Sequence, residues 1–408
     1  MRKPEILSPA GDPERLKMAV TFGANAVYLA GKQFGMRGGV PNFTDDALRW
    51  AVAYCHARGV RVHVTVNTLP RAEELAALPA YLSLLAEIGA DALIVADLGV
   101  FRMAQKYCPA AELHISTQAG IVNAPSATAW YELGASRVVL AREMTLEEIR
   151  LLRQNTPPAL ELEAFVHGAM CVSFSGRCLL SNYMTGRDGN RGVCAQPCRW
   201  RYALVEEKRP GQYFPVEQAQ DGTYIMNSKD LCMIGHIPQL LDAGIDALKI
   251  EGRAKSSYYT AVTTNAYHHA VEAALAHRPL EPVWREEVEK VSHRNYYTGF
   301  YFGTPENGQF YEDARYVRDW QISAVVERCT QDGSAVISQR NRFWRGDTLE
   351  LLAPGAAPCA VCVERILTED GTELDCAPHP QQRLCVQLPH FAPAGSILRR
   401  AVESSEKS

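Results

Sequence analysis

One short pattern recurs along the chain and constrains its fold more than any other feature. In each copy a glycine is followed by one apolar residue, then by one polar residue, and then by a mostly apolar run. The copies span Phe22–Leu29, Ile88–Val95, Leu133–Leu140 and Ala243–Ile250. The glycine is expected just past the end of a helix, where a left-handed backbone is needed. The apolar run is continuous rather than alternating, which predicts a short parallel strand that is covered on both faces.

Further apolar segments follow the same order of helix and strand. They are Glu5–Leu7, Val62–Val66, Leu113–Ser116 and Leu160–Val166, and they bring the total to eight strands. Helical patterns fill most of the gaps, for example over 45–58 and over 145–154, where Thr145 and Glu148 form a capping box. Eight such units predict an α/β fold, a closed (β/α)8 TIM-like barrel. An open doubly wound sheet is the alternative, but the first glycine turn lacks a GxGxxG fingerprint.

The chain length predicts more than one domain, because 408 residues exceed the roughly 250 that a barrel needs. We expect the barrel over 1–280, ending in a helix over 256–277, and a connecting segment over 281–316. Short alternating strands and turns from about Asp319 predict a small C-terminal all-β, barrel-like domain over 317–405. A long cysteine-rich insertion, 167–235, separates strands seven and eight.

Charge and apolar patterning limit the classes of function. The formal net charge of -4 excludes a general basic field, so any RNA must meet a local patch. No apolar run follows Met1–Lys3, and Glu87, Asp91 and Asp97 interrupt the most apolar stretch, 78–101. We therefore expect a cytoplasmic protein without a membrane span.

Four of the twelve cysteines lie close together in the insertion. Cys171, Cys178, Cys194 and Cys198 have the spacing C-x6-C-x15-C-x3-C. Zinc and iron–sulfur clusters both accept four thiolates. The spacing favours a cluster, since a structural zinc site usually has two close cysteine pairs and only one pair is close here. Buried free thiols are the remaining alternative, and Cys232 could replace one ligand.

Polar residues follow several predicted strands, at the end of a barrel where active sites are built. They are Ser8, Asn67, Asp97, Gln118, Arg142, Glu143, His167, Lys249, Glu251 and Arg253. Some of these side chains could simply cap loops. Arginines and aromatic residues also crowd the cysteine-rich insertion, a mixture that suits phosphate contact and base stacking, or neutralisation of thiolate charge. They are Arg177, Arg187, Arg191, Arg199 and Arg201 with Phe174, Tyr183 and Trp200.

Candidate roles follow from these positions. We take Glu163, His167 and Glu251 as candidate catalytic residues. The candidate substrate-binding residues are Asn67, Gln118, Arg142, Arg177, Lys249 and Arg253. His167 with Cys171 could instead mimic the dyad of a thiol protease, although this leaves the other three cysteines unexplained.

The segment Glu163–Ser181 resembles the signature of the collagenase-like peptidase family U32. Ile6–Gly11, Asn227–Leu231 and Lys249–Arg253 support the resemblance, which extends over nearly the whole chain. The most similar subgroup is that of the tRNA uridine hydroxylation proteins.

The resemblance carries its own expectations. Despite the peptidase label, it implies oxygen-independent hydroxylation, and for the RNA-directed members a dependence on prephenate as co-substrate. It also implies a [4Fe–4S] cluster on Cys171, Cys178, Cys194 and Cys198, with Cys232 as the alternative to Cys198. The prediction is therefore prephenate-dependent hydroxylation of the wobble uridine of tRNA at C5. The alternatives are a U32 peptidase and a non-catalytic RNA-binding partner of another modifying enzyme.

Overall fold

The computed structural model describes most of the chain. The described ranges are 3–36, 41–171, 173–200, 204–205, 213–214, 218–219, 222–223, 229–303 and 317–402. Arg201, Asn227 and Ser228 lie outside the described residues, as do other parts of the insertion 167–235 and of the segment 281–316. The same is true of 403–405 at the end of the predicted C-terminal domain.

Eight parallel strands close into a barrel, as the repeat predicted. The strands, numbered along the chain, are β1 (Glu5–Pro9), β2 (Ala26–Leu29), β3 (Arg61–Val66), β4 (Ala92–Val95), β5 (Glu112–Ile115), β6 (Arg137–Val139), β7 (Glu161–Ala169) and β13 (Ala247–Ile250). Strand β13 pairs in parallel with both β7 and β1. The prediction of a closed barrel is confirmed, and an open sheet is excluded.

The helices cover the outside of the barrel and the ends of its strands. They are α1 (Pro13–Thr21), α2 (Asp45–His56), α3 (Ala72–Leu75), α4 (Leu78–Glu87), α5 (Leu98–Tyr107), α6 (Ala124–Glu132), α7 (Leu146–Gln154), α8 (Leu180–Thr185), α9 (Ile237–Asp242), α10 (Ser257–Leu275) and α11 (Pro282–Glu289). Thr145 and Glu148 form the predicted capping box of α7. All four repeat glycines have positive φ, between 74° and 108°, as expected for a residue in the left-handed conformation just past the end of a helix. They are Gly23, Gly89, Gly134 and Gly244.

The insertion adds pieces that the sequence did not predict. Strand β12 (Asp230–Cys232) pairs antiparallel with β7 and parallel with β14 (Tyr296–Tyr297). Four two-residue strands form two small antiparallel pairs, β8 with β9 and β10 with β11. They are β8 (Leu204–Val205), β9 (Tyr213–Phe214), β10 (Gln218–Ala219) and β11 (Gly222–Thr223). Strand β7 is therefore longer than its barrel partners, because its last residues pair with β12.

The C-terminal domain is an antiparallel sheet of eight strands. They are β15 (Trp320–Cys329), β16 (Ser334–Gln339), β17 (Thr348–Leu352), β18 (Cys359–Cys362), β19 (Ile366–Thr368), β20 (Glu373–Leu374), β21 (Arg383–Gln387) and β22 (Ile397–Ala401). Ile337, Phe343 and Leu398 are fully buried in its own hydrophobic core. The all-β prediction for this part of the chain is confirmed.

Buried charges join the two domains. The guanidinium of Arg399 on β22 donates to Glu287 of α11 at 2.6 Å and also to Glu350 of β17. Lys290 bonds both oxygens of Glu350, at 2.9 and 3.0 Å. Val325 joins the hydrophobic cluster of the barrel, so the interface is apolar as well as ionic. Among the described residues, no helix combines the length and the apolarity that crossing a membrane needs.

Candidate functional site

A cavity opens at the carboxyl ends of the barrel strands and brings most of the predicted site residues together. The barrel supplies its floor and walls with Asn67, Gln118, Arg142, Lys249, Glu251 and Arg253, and the insertion supplies Cys171, Cys178, Cys194 and Cys198. The four cysteines and the polar strand ends therefore share one space. This is the end of a (β/α)8 barrel at which catalytic residues converge.

The cysteine-rich segment is held on the barrel by a glutamate at the end of β6. Both carboxylate oxygens of Glu143 accept hydrogen bonds from Ser175, one from its backbone N–H at 2.8 Å and one from its hydroxyl at 2.9 Å. Ser175 has a φ of 46°, a left-handed conformation that costs energy for a non-glycine residue. The two hydrogen bonds offset that cost and fix the segment between Cys171 and Cys178.

Backbone amides point at two of the sulfur atoms. The N–H of Leu180 lies 3.4 Å from Cys178 Sγ, and the N–H of Gln196 lies 3.3 Å from Cys194 Sγ. Such N–H···S hydrogen bonds stabilise a thiolate and tune the clusters that thiolates bind.

Four thiols are a donor set that a zinc ion and an iron–sulfur cluster both accept. A structural zinc ion draws four ligands to about 2.3 Å from one point. Within the described ranges, no three or more His, Cys, Asp or Glu side chains are grouped so that they could hold a single metal ion. An iron–sulfur cluster instead spreads four thiolates around a core of several atoms. The four thiols that line the cavity are donors of the kind that such a cluster needs.

Cys232 lies away from these four thiols. It is on β12, directly opposite His167 of β7, and it is not among the residues that line the cavity. Burial raises the pKa of its thiol to about 11. The structure therefore brings Cys198, and not Cys232, together with Cys171, Cys178 and Cys194.

A β-bulge turns His167 out of the barrel. Lys249 pairs with Phe165, but the next residue, Ile250, pairs with His167, so Val166 is an extra residue in β7. Alternation from Glu163 and Phe165 would place His167 inside the barrel; the bulge reverses this. The imidazole lies within hydrogen-bond distance of two tyrosine hydroxyls, 3.2 Å from Tyr296 Oη and 3.4 Å from Tyr267 Oη.

His167 consequently does not reach the cavity. Burial lowers the pKa of its imidazole to about 3, with the charges of Lys255 and His293 contributing. It is therefore neutral at physiological pH. The described residues that line the cavity include no histidine, so the alternative dyad of His167 with Cys171 is not assembled there.

Glu163 lies below the cavity in an ion-pair network rather than in its wall. One of its oxygens accepts from Lys249 Nζ at 2.8 Å and the other from Arg137 Nη1 at 3.0 Å. Arg137 also donates to Glu5 at 2.6 Å. Burial by itself raises the pKa of Glu163, but the charges of Lys249 and Arg137 outweigh burial and hold the pKa below its ordinary value. Glu163 is thus a charged partner that fixes Lys249, which does line the cavity.

Two other cations and one carboxylate complete the charged wall. The guanidinium of Arg142 lies 3.8 Å from the ring centre of Phe165, donates to the carbonyl of Ala169 at 3.0 Å and pairs with Glu251 at 3.4 Å. Arg253 donates to the carbonyl of Met36. These contacts hold the charged groups in place around the opening.

A chain of amide hydrogen bonds crosses the opposite wall. The backbone N–H of Met36 donates to Asn67 Oδ1 at 3.1 Å, and Asn67 Nδ2 donates to Gln118 Oε1 at 3.0 Å. The hydroxyl of Ser116 donates to the same Gln118 oxygen at 3.2 Å. The carbonyl oxygens of both side-chain amides are thereby used within the protein.

The other predicted site residues lie elsewhere. Arg177 is exposed and does not line the cavity. Asp97 caps α5 by accepting from the N–H of Val100, and Ser8 bonds Thr264, so both have structural roles. Phe174, Tyr183 and Trp200 lie on the surface of the insertion, with 54%, 78% and 42% of their area exposed.

Sequence reasoning missed several residues of the cavity wall, among them Tyr28, Thr65, Ser116 and Phe165. One of these could have been found from alternation. Thr65 precedes Asn67 by two residues, and side chains two apart in extended backbone share a face.

Fold and site together define the class of protein: a (β/α)8 barrel whose catalytic end is covered by a segment with four thiols. Residues 11–310 match the model of Peptidase family U32, and 318–399 match that of the Peptidase family U32 C-terminal domain. The chain belongs to this family.

Relatives within the family have different names. The chain is 37% identical over 404 residues to tRNA hydroxylation protein P1 of Bacillus subtilis, with 98% of this chain and 95% of the relative covered. It is 36% identical to the 23S rRNA 5-hydroxycytidine C2501 synthase of Escherichia coli, with 67% and 40% covered. It is 34% identical to a collagenase of Porphyromonas gingivalis, with 73% of each chain covered.

Proposed function

We propose that this chain is an RNA-modifying enzyme that hydroxylates C5 of the wobble uridine of tRNA, with prephenate as co-substrate. The observation that carries the proposal is the single cavity in which four cysteines face the polar ends of the barrel strands. The names of the tRNA- and rRNA-directed relatives, which match this chain over most of its length, support RNA as the substrate.

In this proposal the four thiolates of Cys171, Cys178, Cys194 and Cys198 hold a [4Fe–4S] cluster. When bound, the cluster supplies an electron-transfer centre at the roof of the cavity. The backbone N–H groups that lie 3.4 Å from Cys178 Sγ and 3.3 Å from Cys194 Sγ would donate hydrogen bonds to the sulfur ligands of such a group.

The cations of the wall bind the co-substrate. Arg142, Lys249 and Arg253 line the cavity together with one carboxylate, Glu251, so the barrel part of the wall carries more cations than carboxylates. Prephenate carries two carboxylates, and guanidinium groups bind carboxylates with strong charge-assisted hydrogen bonds. The pairing of Lys249 with Glu163 keeps the ammonium fixed beneath the cavity.

Glu251 is the candidate acceptor for the proton that leaves C5. Of the three candidate catalytic residues, it alone lines the cavity, whereas Glu163 lies below the wall and His167 lies outside the barrel. Its carboxylate is oriented by Arg142 at 3.4 Å. A carboxylate positioned in this way can serve as a general base.

The surface of the insertion is the proposed binding surface for the anticodon loop. Exposed Phe174, Tyr183 and Trp200 offer faces on which unpaired bases can stack. Arg177 and Arg187, both exposed, lie on the same segment and can contact phosphates. A local surface of this kind satisfies the requirement that follows from the net charge of -4.

Mass spectrometry of tRNA nucleosides tests the proposal in cells. Cells that lack this gene should lose 5-hydroxyuridine and its derivatives, and the wild-type gene should restore them. In vitro, anaerobically purified protein with its cluster should hydroxylate tRNA only when prephenate is present. Hydroxylation without prephenate would remove the co-substrate from the proposal, and an unchanged nucleoside profile would overturn the function.

The same purified protein should be assayed on collagen and on denatured collagen. Proteolysis by the wild-type protein that Cys171→Ser abolishes would support the peptidase alternative. Activity on tRNA by the protein alone would exclude the role of a non-catalytic partner.

A further inference from the structure

Gln118 carries an amide whose orientation is fixed by its neighbours. Its oxygen accepts hydrogen bonds from Asn67 Nδ2 at 3.0 Å and from Ser116 Oγ at 3.2 Å. Asn67 cannot turn its own amide over without losing the backbone N–H of Met36, which it accepts at 3.1 Å. The NH2 group of Gln118 is therefore the last group in this series of hydrogen bonds.

That NH2 group has no partner within the described part of the protein. Gln118 Nε2 is buried and forms no hydrogen bond, although its side chain lines the cavity. Two other buried atoms of cavity-lining side chains likewise have no hydrogen-bond partner among the described residues. They are Thr65 Oγ1 and Arg142 Nε. An unpartnered buried donor is costly, and polar ligands commonly satisfy such groups when they bind.

We infer that Gln118 is a specificity-determining residue, which donates its amide hydrogen to O4 of the target base and so selects uracil over cytosine. The inference rests on the proposed function and deepens it. At position 4 uracil presents a carbonyl acceptor, whereas cytosine presents an amino donor. The NH2 group of Gln118, held in place by Asn67 and Ser116, can donate to the carbonyl of uracil but would face the amino group of cytosine donor to donor.

The same reasoning applies to the other two unpartnered atoms of the cavity wall. Arg142 Nε can only donate, and Thr65 Oγ1 can donate or accept, so the unpartnered atoms favour a ligand rich in carbonyl oxygens. Uracil has two carbonyl oxygens and cytosine has one. A site that leaves a buried group unpaired rejects the wrong ligand by a large factor.

The test is a competition between two substrates in one tube. Full-length protein with its cluster receives equal amounts of two tRNA transcripts, one with uridine and one with cytidine at the target position, together with prephenate. Mass spectrometry then gives the ratio of the two hydroxylated nucleosides, which is the ratio of the two kcat/KM values whatever the active fraction. The same variants, expressed in cells that lack the gene, give the ratio with the natural co-substrate.

Two substitutions of Gln118 give independent readings. Gln118→Glu replaces the donor with an acceptor, and Gln118→Met removes the donor without adding charge. Each should lower the uridine-to-cytidine ratio at least about tenfold, mainly through a lower kcat/KM for uridine. Gln331→Glu, the same chemical change on an exposed turn of the C-terminal domain, should leave the ratio unchanged.

Visible absorbance and the melting temperature show whether each variant is folded and carries its cluster. If the wild-type protein hydroxylates neither base, the proposed function fails and this assignment fails with it. If the wild-type protein hydroxylates uridine and both Gln118 variants keep its ratio, only the assignment is overturned. An equal loss on both bases with a raised KM for prephenate would move Gln118 to the co-substrate and overturn it as well.

Discussion

Three buried histidines determine how this protein responds to mild acid. Burial lowers the pKa values of His63 and His114 well below the ordinary value, with the nearby charge of Arg137 adding to the effect. Burial likewise lowers the pKa of His167 to about 3. In the unfolded chain all three take up a proton near pH 6.5, whereas in the folded protein they do not.

Stability should therefore fall as the pH falls below about 6.5, because the unfolded state then binds more protons than the native state. Each histidine contributes a loss of about 1.4 kcal/mol between pH 7.5 and pH 5.5. The free energy of unfolding in urea, measured at several pH values, checks this. In His167→Gln the loss of unfolding free energy between pH 7.5 and pH 5.5 should be smaller by about 1.4 kcal/mol, the contribution of one histidine. An unchanged loss would mean that His167 is protonated in the folded protein.

A second expectation at the scale of single residues concerns Glu163, which pairs with both Lys249 and Arg137 while fully buried. Glu163→Gln leaves the Lys249 charge without its partner, and breaking a buried pair in this way costs about 3 kcal/mol. Chemical denaturation measures the loss. The double variant Glu163→Gln with Lys249→Met should recover part of it, because the stranded charge is gone.

Glu87→Gln provides the matched control, since Glu87 pairs with Arg49 at 2.6 Å on the exposed surface of the barrel. Exposed pairs contribute little to stability. Equal destabilisation by the Glu87 and Glu163 variants would contradict a special role for the buried network.

At the scale of elements, the insertion between β7 and β13 should carry the iron. Anaerobically purified protein should be brown and contain about four irons per chain with matching sulfide. Cys171→Ser and Cys178→Ser should lose colour and iron, because a serine oxygen is a poor ligand for a cluster. Iron and sulfide analysis with visible absorbance measures the result.

Cys232→Ser is the internal comparison, because Cys232 is a half-buried cysteine on β12 that does not line the cavity. It should keep iron and colour. Loss of iron in Cys232→Ser with retention in Cys198→Ser would show that Cys232, and not Cys198, is the fourth ligand. Stoichiometric zinc without sulfide in the anaerobic wild-type protein would rule out the cluster.

At the scale of the whole molecule, one buried arginine joins the barrel to the C-terminal domain. Arg399 and Glu287 are both fully buried and lie 2.6 Å apart. Arg399→Met should lower the free energy of unfolding by about 3 kcal/mol and uncouple the two domains, since Glu287 then keeps a buried charge with Lys290 alone. Differential scanning calorimetry should show two transitions in place of one.

Arg328→Met tests the specificity of that result, because the Arg328 side chain is 70% exposed on the same domain. A single transition near the wild-type temperature is expected for it. If Arg399→Met also melts in one unshifted transition, the ionic contacts at the interface are dispensable.

Local sequence determined the eight strands, the capping of α7 and the left-handed glycines, because each depends on residues only a few positions apart. It also placed Asn67, Gln118 and Glu251 at strand ends, and in a closed barrel all strand ends meet at one rim. The four-cysteine grouping could be predicted for the same reason, since the four residues lie within one short segment.

Only the tertiary structure decided which of these residues face one another. The bulge at Val166 depends on how β7 pairs with β13, so the position of His167 at the end of a predicted strand did not show that its side chain is turned away from the cavity. The pairing of β12 with β7 carries Cys232 away from the cavity, and no spacing in the sequence encodes that pairing. The fixed amide of Gln118 depends on Asn67, 51 positions away along the chain, and contacts at that separation form only when the strands assemble into one sheet.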